Sequence, residues 1–204
     1  MGMTKRIIVA VTGASGAQYG IEALRFLRAE PDVETHLVLT RAARATIAAE
    51  TDMTVAQVRG LADVVHGDHD LGAAIASGSF RTDGMLVAPC SVKTLSGIAN
   101  SYDETLVVRA ADVVLKERRR LVLLVRETPL HANHLRLMSE VTAAGGIIMP
   151  PVPAFYTRPA TVEDIVRHTV GRALDLFGID VAGVQRWTGE REQVPGPIRA
   201  VDPL

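Results

Sequence analysis

The chain has 204 residues, of which 48% are hydrophobic and 22% are charged, and its formal net charge is −1. This composition is typical of a folded globular domain, and the nearly neutral charge excludes a general electrostatic attraction to nucleic acid. One cysteine, Cys90, excludes an internal disulfide, and no apolar run approaches the ~20 residues that cross a bilayer. We therefore expect a cytoplasmic protein with no membrane or nucleic-acid partner.

Short apolar runs alternate with longer segments that have helical patterns. The runs lie at residues 7–11, 36–39, 85–88, 121–125 and 147–149, and the helical segments at 17–29, 41–50, 91–100, 106–115, 131–144 and 161–177. The runs do not alternate with polar residues, which is typical of strands buried on both faces. The order predicts a doubly wound α/β fold, a Rossmann-like or flavodoxin-like three-layer sandwich with a mostly parallel sheet. We expect one domain over residues 1–187 and a disordered tail over 188–204.

A loop of small residues follows the first predicted strand. Residues 12–20 have the sequence TGASGAQYG and lead into a helix, whose amino end favours an anion. The loop has neither the G-x-G-x-x-G pattern of dinucleotide sites nor the lysine of a P-loop. The second strand ends at Thr40 and Arg41 with no acidic residue for a ribose, so the site suits a phosphate better than NAD. A tight turn without a ligand is the alternative.

Two further loops carry polar residues at strand ends. Ser91 and Thr94 follow the third strand, where they can cap a helix and still bind a ligand beside Lys93, although capping alone remains an alternative. Arg126 and Glu127 follow the fourth strand and are costly to bury without partners. We interpret Arg126 as a clamp for a phosphate and Glu127 as a proton carrier.

Other reactive residue types give weaker signals. Cys90 has no neighbouring base that would activate a thiolate, so we expect it to be buried and inert. The pairs His66/His69 and His131/His134 have a helical ligand spacing but no third ligand, and we expect no metal site. We place the first pair in a solvated loop. The serine-hydrolase pattern G-x-S-x-G is absent.

Taken together, these motifs resemble the UbiX/Pad-type flavin prenyltransferases. The resemblance runs from about residue 5 to residue 187 and follows the order TGASGAxYG, PCSxKTLSG, RAADVxLKERR, RETPLH and MPPxPAFYxRP. It implies FMN as cofactor, with reduced FMN as the substrate and prenylated FMN as the product. It also implies dimethylallyl phosphate as the donor, a flavin reductase, a UbiD-type decarboxylase that receives the product, and a homododecamer with sites between subunits.

The resemblance also implies roles for individual residues. The implied flavin-binding residues are Gly13, Ala14, Ser15, Thr40, Ser91, Val92, Lys93, Thr94 and Arg126. Lys116, Tyr156 and Arg172, together with Arg126, are the implied ligands of the donor phosphate. Ser15, Glu50, Glu127 and Trp187 are the implied catalytic positions, and the indole of Trp187 would face a developing allylic cation.

Three other functions remain open at this point. A flavin-dependent cysteine decarboxylase would have the same fold, but it is expected to carry an early catalytic histidine and a P-x-M-N segment, where this chain has residues 127–131, ETPLH. A non-catalytic FMN-binding subunit of an aromatic-acid decarboxylase would have the same flavin loops. A general flavin carrier would tolerate the loss of Glu127 and Arg172.

Overall fold

The computed structural model describes residues 4–187, and within them the chain forms one parallel sheet. Its strands are β1 (Lys5–Val11), β2 (Val33–Leu39), β3 (Val64–His66), β4 (Gly84–Cys90), β5 (Arg120–Val125) and β6 (Ile147–Ile148). The strand order is β3-β2-β1-β4-β5-β6, and every neighbouring pair is parallel. Strands β2 and β3 are added on one side of β1, and the chain then returns to add β4, β5 and β6 on its other side. In such sheets ligands bind outside the carboxyl ends of the strands at this switch point.

Helices cover both faces of the sheet and complete the predicted three-layer sandwich. They are α1 (Ala17–Ala29), α2 (Arg41–Glu50), α3 (Val55–Arg59), α4 (Val92–Ala99), α5 (Leu106–Lys116), α6 (Ala132–Ala143) and α7 (Val162–Asp175). Apolar side chains of α1, α2, α3 and α7 form one core against the sheet, and those of α4, α5 and α6 form the other. Among residues 4–187, no helix is both long and apolar enough to cross a membrane.

The sequence-based prediction of His66 was wrong, since it belongs to strand β3 rather than to a solvated loop. Its Nε2 lies 3.0 Å from Nδ1 of the buried His36, and the two rings stack. The other ring nitrogen of His36 lies 2.7 Å from Oε1 of Glu34. The strand was missed because three residues at a sheet edge are too few to show a hydrophobic pattern.

Candidate active site

The three loops singled out in the sequence meet at the carboxyl edge of the sheet. The Thr12 hydroxyl donates to the carbonyl of Pro89 at 2.7 Å and accepts from the N–H of Ser91 at 2.8 Å. The N–H of Arg126 donates to the carbonyl of Cys90 at 3.1 Å. These bonds join the ends of β1, β4 and β5, so the residues that follow them are held side by side.

Helix amino ends point into this edge. Thr40 caps α2 by accepting from the N–H of Ala43 at 3.1 Å, and Ser91 caps α4 by accepting from Thr94 at 3.3 Å. The first N–H groups of each helix, which in α4 are those of Val92 and Lys93, have no partner within their own helix. They are therefore available to an anion.

The glycine loop lies directly against α2. A Cβ added to Gly13 would lie 2.4 Å from Cβ of Ala42, so only glycine lets the loop approach the helix this closely. Ala14 and Ser15 follow in the same loop, and Ser15 is exposed. The converging N–H groups and the small side chains fit the phosphate and the planar ring of FMN.

The side chain of Glu50, at the end of α2, caps the amino end of α1. Its Oε2 accepts from the N–H of Gly16 at 2.8 Å and of Ala17 at 3.0 Å, and its carboxylate also bonds the Ser15 hydroxyl. Burial raises the pKa of Glu50, but these hydrogen bonds and the charge of Arg126 outweigh it and leave the pKa below its usual value. Residue types alone indicate an ordinary surface position here, because the partners lie more than thirty residues away in sequence.

Arg126 and Glu127 are both exposed at the end of β5. Burial raises the pKa of the Tyr19 phenol, and the nearby Arg126 guanidinium opposes that rise. Tyr19 had no role in the sequence-based prediction, although it lies in the glycine-rich motif. Glu127 accepts from the N–H of Thr128 at 2.9 Å through one of its carboxylate oxygens. Ser15, Glu50, Arg126 and Tyr19 thus form one polar cluster beside the joined loops.

Three other predicted residues lie on or beside α7. The Tyr156 hydroxyl lies 3.3 Å from Nε2 of His168, and its ring contacts Trp187 edge to face with centroids 5.7 Å apart. Arg172 lies one helical turn beyond His168 and pairs with Asp175. Tyr156 and Trp187 are 47% and 64% exposed, which is unusual for aromatic side chains and leaves them available to a ligand or a second chain.

The structure places Arg172 and Lys116 towards the opposite edge of the sheet from the joined loops after β1, β4 and β5. The carbonyl of Phe177, just after α7, accepts from Nζ of Lys5 at the start of β1. Lys116 ends α5 shortly before β5 begins, and its Nζ pairs with Glu117 at 2.8 Å. A strand of this length spans roughly 20 Å, so one copy does not bring Lys116 to its own glycine loop.

Comparisons with known proteins agree with this geometry. The flavoprotein family model matches residues 2–174. The flavin prenyltransferase UbiX of Escherichia coli K12 is 56% identical over 187 residues, which are 91% of this chain and 99% of that protein. The flavin prenyltransferase UbiX of Thauera aromatica is 54% identical over 92% of this chain and 96% of that protein.

Solved structures give the same result. AnUbiX (PadA1), in complex with FMN and dimethylallyl pyrophosphate, superposes with a TM-score of 0.89 at 53% identity, over 92% of this chain and 99% of that one. A dodecameric FMN-dependent UbiX-like decarboxylase from Escherichia coli O157:H7 also gives 0.89, at 52% identity, over 90% of this chain and all of that one. The cypemycin decarboxylase CypD, at 18% identity and a TM-score of 0.60, shares the fold alone. The chain belongs to the flavoprotein family and, within it, to the UbiX flavin prenyltransferases.

Proposed function

We propose that this protein transfers a dimethylallyl group from dimethylallyl phosphate to N5 and C6 of reduced FMN and releases prenylated FMN. The observation that carries the proposal is the cluster of Ser15, Glu50 and Arg126 beside the joined loops after β1, β4 and β5. It combines an anion site with an oriented hydroxyl and an exposed cation. Bound reduced FMN supplies the nucleophilic ring atoms.

The loops bind and orient the cofactor. In this proposal the amino ends at Thr40 and Ser91 hold the FMN phosphate and the polar chain, and the Gly13 loop admits the flavin without a steric clash. Arg126 offsets the negative charge of the donor phosphate as the carbon–oxygen bond breaks. Holding both reactants in contact supplies a large part of the rate enhancement.

The two carboxylates have different roles in this proposal. The lowered pKa of Glu50 keeps it ionised at neutral pH, so it orients Ser15 and the amino end of α1 rather than donating a proton. Glu127 is exposed at the end of β5, and it carries a proton between the flavin and the departing phosphate.

A second copy completes the donor site in this proposal. Arg172 and Lys116 lie towards the opposite edge of the sheet from the glycine loop of their own chain, and Tyr156 and Trp187 are exposed. In a homododecamer they hold the phosphate and the allyl group at a neighbouring flavin. A separate reductase supplies reduced FMN, and a UbiD-type decarboxylase uses the product.

The test is mass spectrometry of the flavin after anaerobic incubation of the protein with reduced FMN and a donor. A gain of one five-carbon unit with dimethylallyl phosphate is the expected result. The same gain with dimethylallyl pyrophosphate alone would change the donor but keep the reaction. Unmodified FMN with both donors, when the flavin is bound and reduced, would contradict prenyl transfer and favour a non-catalytic FMN-binding subunit.

A further inference from the structure

His168, on α7, has an imidazole to which the proposed reaction gives no role. Its Nε2 lies 3.3 Å from the hydroxyl oxygen of Tyr156, and the two rings meet edge to face with centroids 5.8 Å apart. Two contacts of different kinds therefore join the same pair of side chains. Because Tyr156 is one of the proposed ligands of the donor phosphate, any residue that orients its hydroxyl also affects that site.

The turn of α7 that carries His168 is fixed against α1. The preceding residue, Arg167, donates to the carboxylate of Glu22 at 2.7 Å, and the Glu22 side chain is only 6% exposed. The Arg167 guanidinium also lies 4.7 Å from the ring centroid of Phe26, and the next residue in the helix, Thr169, is buried. A charge-assisted hydrogen bond and a cation–π contact thus restrain the backbone on which the imidazole stands.

The segment that carries Tyr156 has less support of its own. Tyr156 lies in a short 3₁₀ turn, Phe155–Thr157, within the proline-rich loop after β6, and no residue of that turn is buried. Its ring also contacts Trp187, but the Trp187 side chain is 64% exposed and is itself poorly supported. Of these two contacts of Tyr156, the one with His168 is therefore the better anchored.

The chemistry of the donor sets the direction of the hydrogen bond between Tyr156 and His168. Phosphate oxygens are acceptors, so Tyr156 contributes to a phosphate site only when its hydroxyl donates to the phosphate. Because a hydroxyl has a single hydrogen, the same oxygen must then accept from His168. Nε2 of His168 must therefore carry a hydrogen, and the imidazole orients the hydroxyl without competing for its hydrogen.

We propose that His168 is a positioning residue of the donor site. Its Nε2–H donates to the Tyr156 hydroxyl, and that hydroxyl donates to the phosphate of dimethylallyl phosphate. This inference rests on the proposed function, which assigns Tyr156 to the donor phosphate. His168 acts through Tyr156 and not on the reactants themselves, so its loss should weaken donor binding and leave the flavin in place.

Two variants of His168 test the hydrogen bond. His168→Met removes the donor, whereas His168→Gln keeps an N–H donor on a side chain of similar reach. Donor binding is measured without turnover, by titration calorimetry of dimethylallyl phosphate into the assembled protein loaded with oxidised FMN, whose N5 is not a nucleophile. We expect the dissociation constant of dimethylallyl phosphate to rise about fivefold in His168→Met and to stay near its original value in His168→Gln. The dissociation constant of FMN should change in neither, and His69→Met, at an exposed position, is the control for loss of an imidazole.

A double-mutant cycle with Tyr156→Phe separates positioning from a general effect on the structure. Tyr156→Phe keeps the ring and removes the hydroxyl, so His168→Met should not weaken donor binding further in that background. A further loss of the same size would overturn the inference, because His168 would then act by another route. Equal losses in His168→Met and His168→Gln would also overturn it, since the N–H donor would then have no effect.

A fluorescence readout is independent of the donor and of prenyl transfer. Trp187 is the single tryptophan of the chain, and its ring contacts that of Tyr156. Because His168 holds the Tyr156 ring in this proposal, His168→Met should give Trp187 more local motion, measured in the flavin-free assembled protein as a larger fast component in the decay of fluorescence anisotropy. His168→Gln should leave that component unchanged. The same decay in His168→Met and in the unchanged protein would show that Tyr156 keeps its position without His168, and would overturn the inference.

The inference and the proposed function fail in different ways. Weaker donor binding and a more mobile Trp187 in His168→Met, together with no transfer to reduced FMN by the unchanged protein, would reject the reaction and keep the role of His168. Transfer by the unchanged protein, with the donor dissociation constant and KM unaltered in His168→Met, would keep the reaction and reject the role of His168.

Discussion

The carboxylate of Glu50 accepts a hydrogen bond from the backbone N–H of Gly16 at 2.8 Å, so that the end of α2 caps the beginning of α1. The same carboxylate bonds the Ser15 hydroxyl. Glu50 therefore fixes the loop to which the proposed function assigns the flavin and the Ser15 hydroxyl. This arrangement differs from a general acid–base site, because its carboxylate is held in the ionised form.

Substitution of Glu50 by glutamine should weaken the hydrogen bonds to the amino end of α1, because it removes the negative charge while keeping the size of the side chain. The lost cap should cost about 1 kcal/mol of unfolding free energy at pH 7. Because the folded-state pKa of Glu50 is lowered, its stabilising effect is present above the unfolded pKa and is lost as the pH falls through the folded value. The stability difference between the two proteins, measured by urea unfolding, should therefore shrink towards pH 3. A difference that stays constant down to pH 3 would contradict a charged cap.

The pair His36 and His66 should make the edge of the sheet sensitive to pH. Burial and the charge of His36 lower the pKa of His66, and Asp70 opposes them. The folded state therefore prefers neutral His66, and its contribution to stability is present above the unfolded pKa of about 6.5 and is lost as the pH falls below it. Glu34 and Asp63, which face His36, have lowered pKa values and titrate at more acidic pH.

Replacement of His66 by glutamine should make the free energy of unfolding less dependent on pH. Urea unfolding at pH 8 and pH 5.5 should show a smaller loss of stability in the variant than in the unchanged protein. His69→Gln is the control, since His69 is exposed in the following loop. An equal loss in all three proteins would show that the stacked pair does not carry the effect.

Gly13→Ala should weaken FMN binding, because the added Cβ would lie 2.4 Å from Cβ of Ala42 and force the loop away from α2. We expect the dissociation constant for FMN to rise about tenfold, since a contact this short requires movement of the backbone around the anion site. Gly72→Ala is the control, because its nearest neighbour would be Oδ1 of Asp70 at 3.5 Å. Similar FMN affinity in both variants would argue against this loop as the flavin site.

Much of the fold could be predicted from the sequence, and the differences have identifiable causes. The boundaries of α1 and α2 agree with the prediction because small and capping residues mark their starts. Strand β3 was missed because it has three residues at the sheet edge. The position of Glu50 in the candidate site came only from the family resemblance. Its carboxylate bonds backbone groups of a distant segment, and no local pattern records such a contact.

Arg172→Ala should impair use of the donor and leave FMN bound. Arg172 stands on α7, away from the glycine loop, and pairs with Asp175. Removal of its guanidinium should raise the KM for dimethylallyl phosphate at least tenfold, because a charge-assisted contact to phosphate is lost. Arg136→Ala, which breaks an exposed pair with Glu140 on α6, is the control for loss of an arginine. Parallel loss of FMN affinity in Arg172→Ala would place this residue at the flavin instead.

The proposed sharing of sites between copies makes a specific prediction about mixed assemblies. Arg126→Met removes a cation at the carboxyl edge of the sheet, and Lys116→Met removes one at the amino edge of the same chain. Each variant alone should have little prenyl transfer. If a site takes Arg126 from one copy and Lys116 from another, some sites in a mixed assembly contain both native residues and recover activity.

The measurement is prenylated flavin formed after the two variants are dissociated together and reassembled, with each variant treated alone as the control. Recovery of transfer above the sum of the two would establish that neighbouring copies contribute to one site. Absence of recovery, with mixed assemblies demonstrated by differential mass tags, would mean that Lys116 and Arg126 act within the same chain or that Lys116 has no role in the donor site. Action within the same chain would require α5 or β5 to move by roughly the length of a strand, and the pairing of β4 with β5 opposes such a movement.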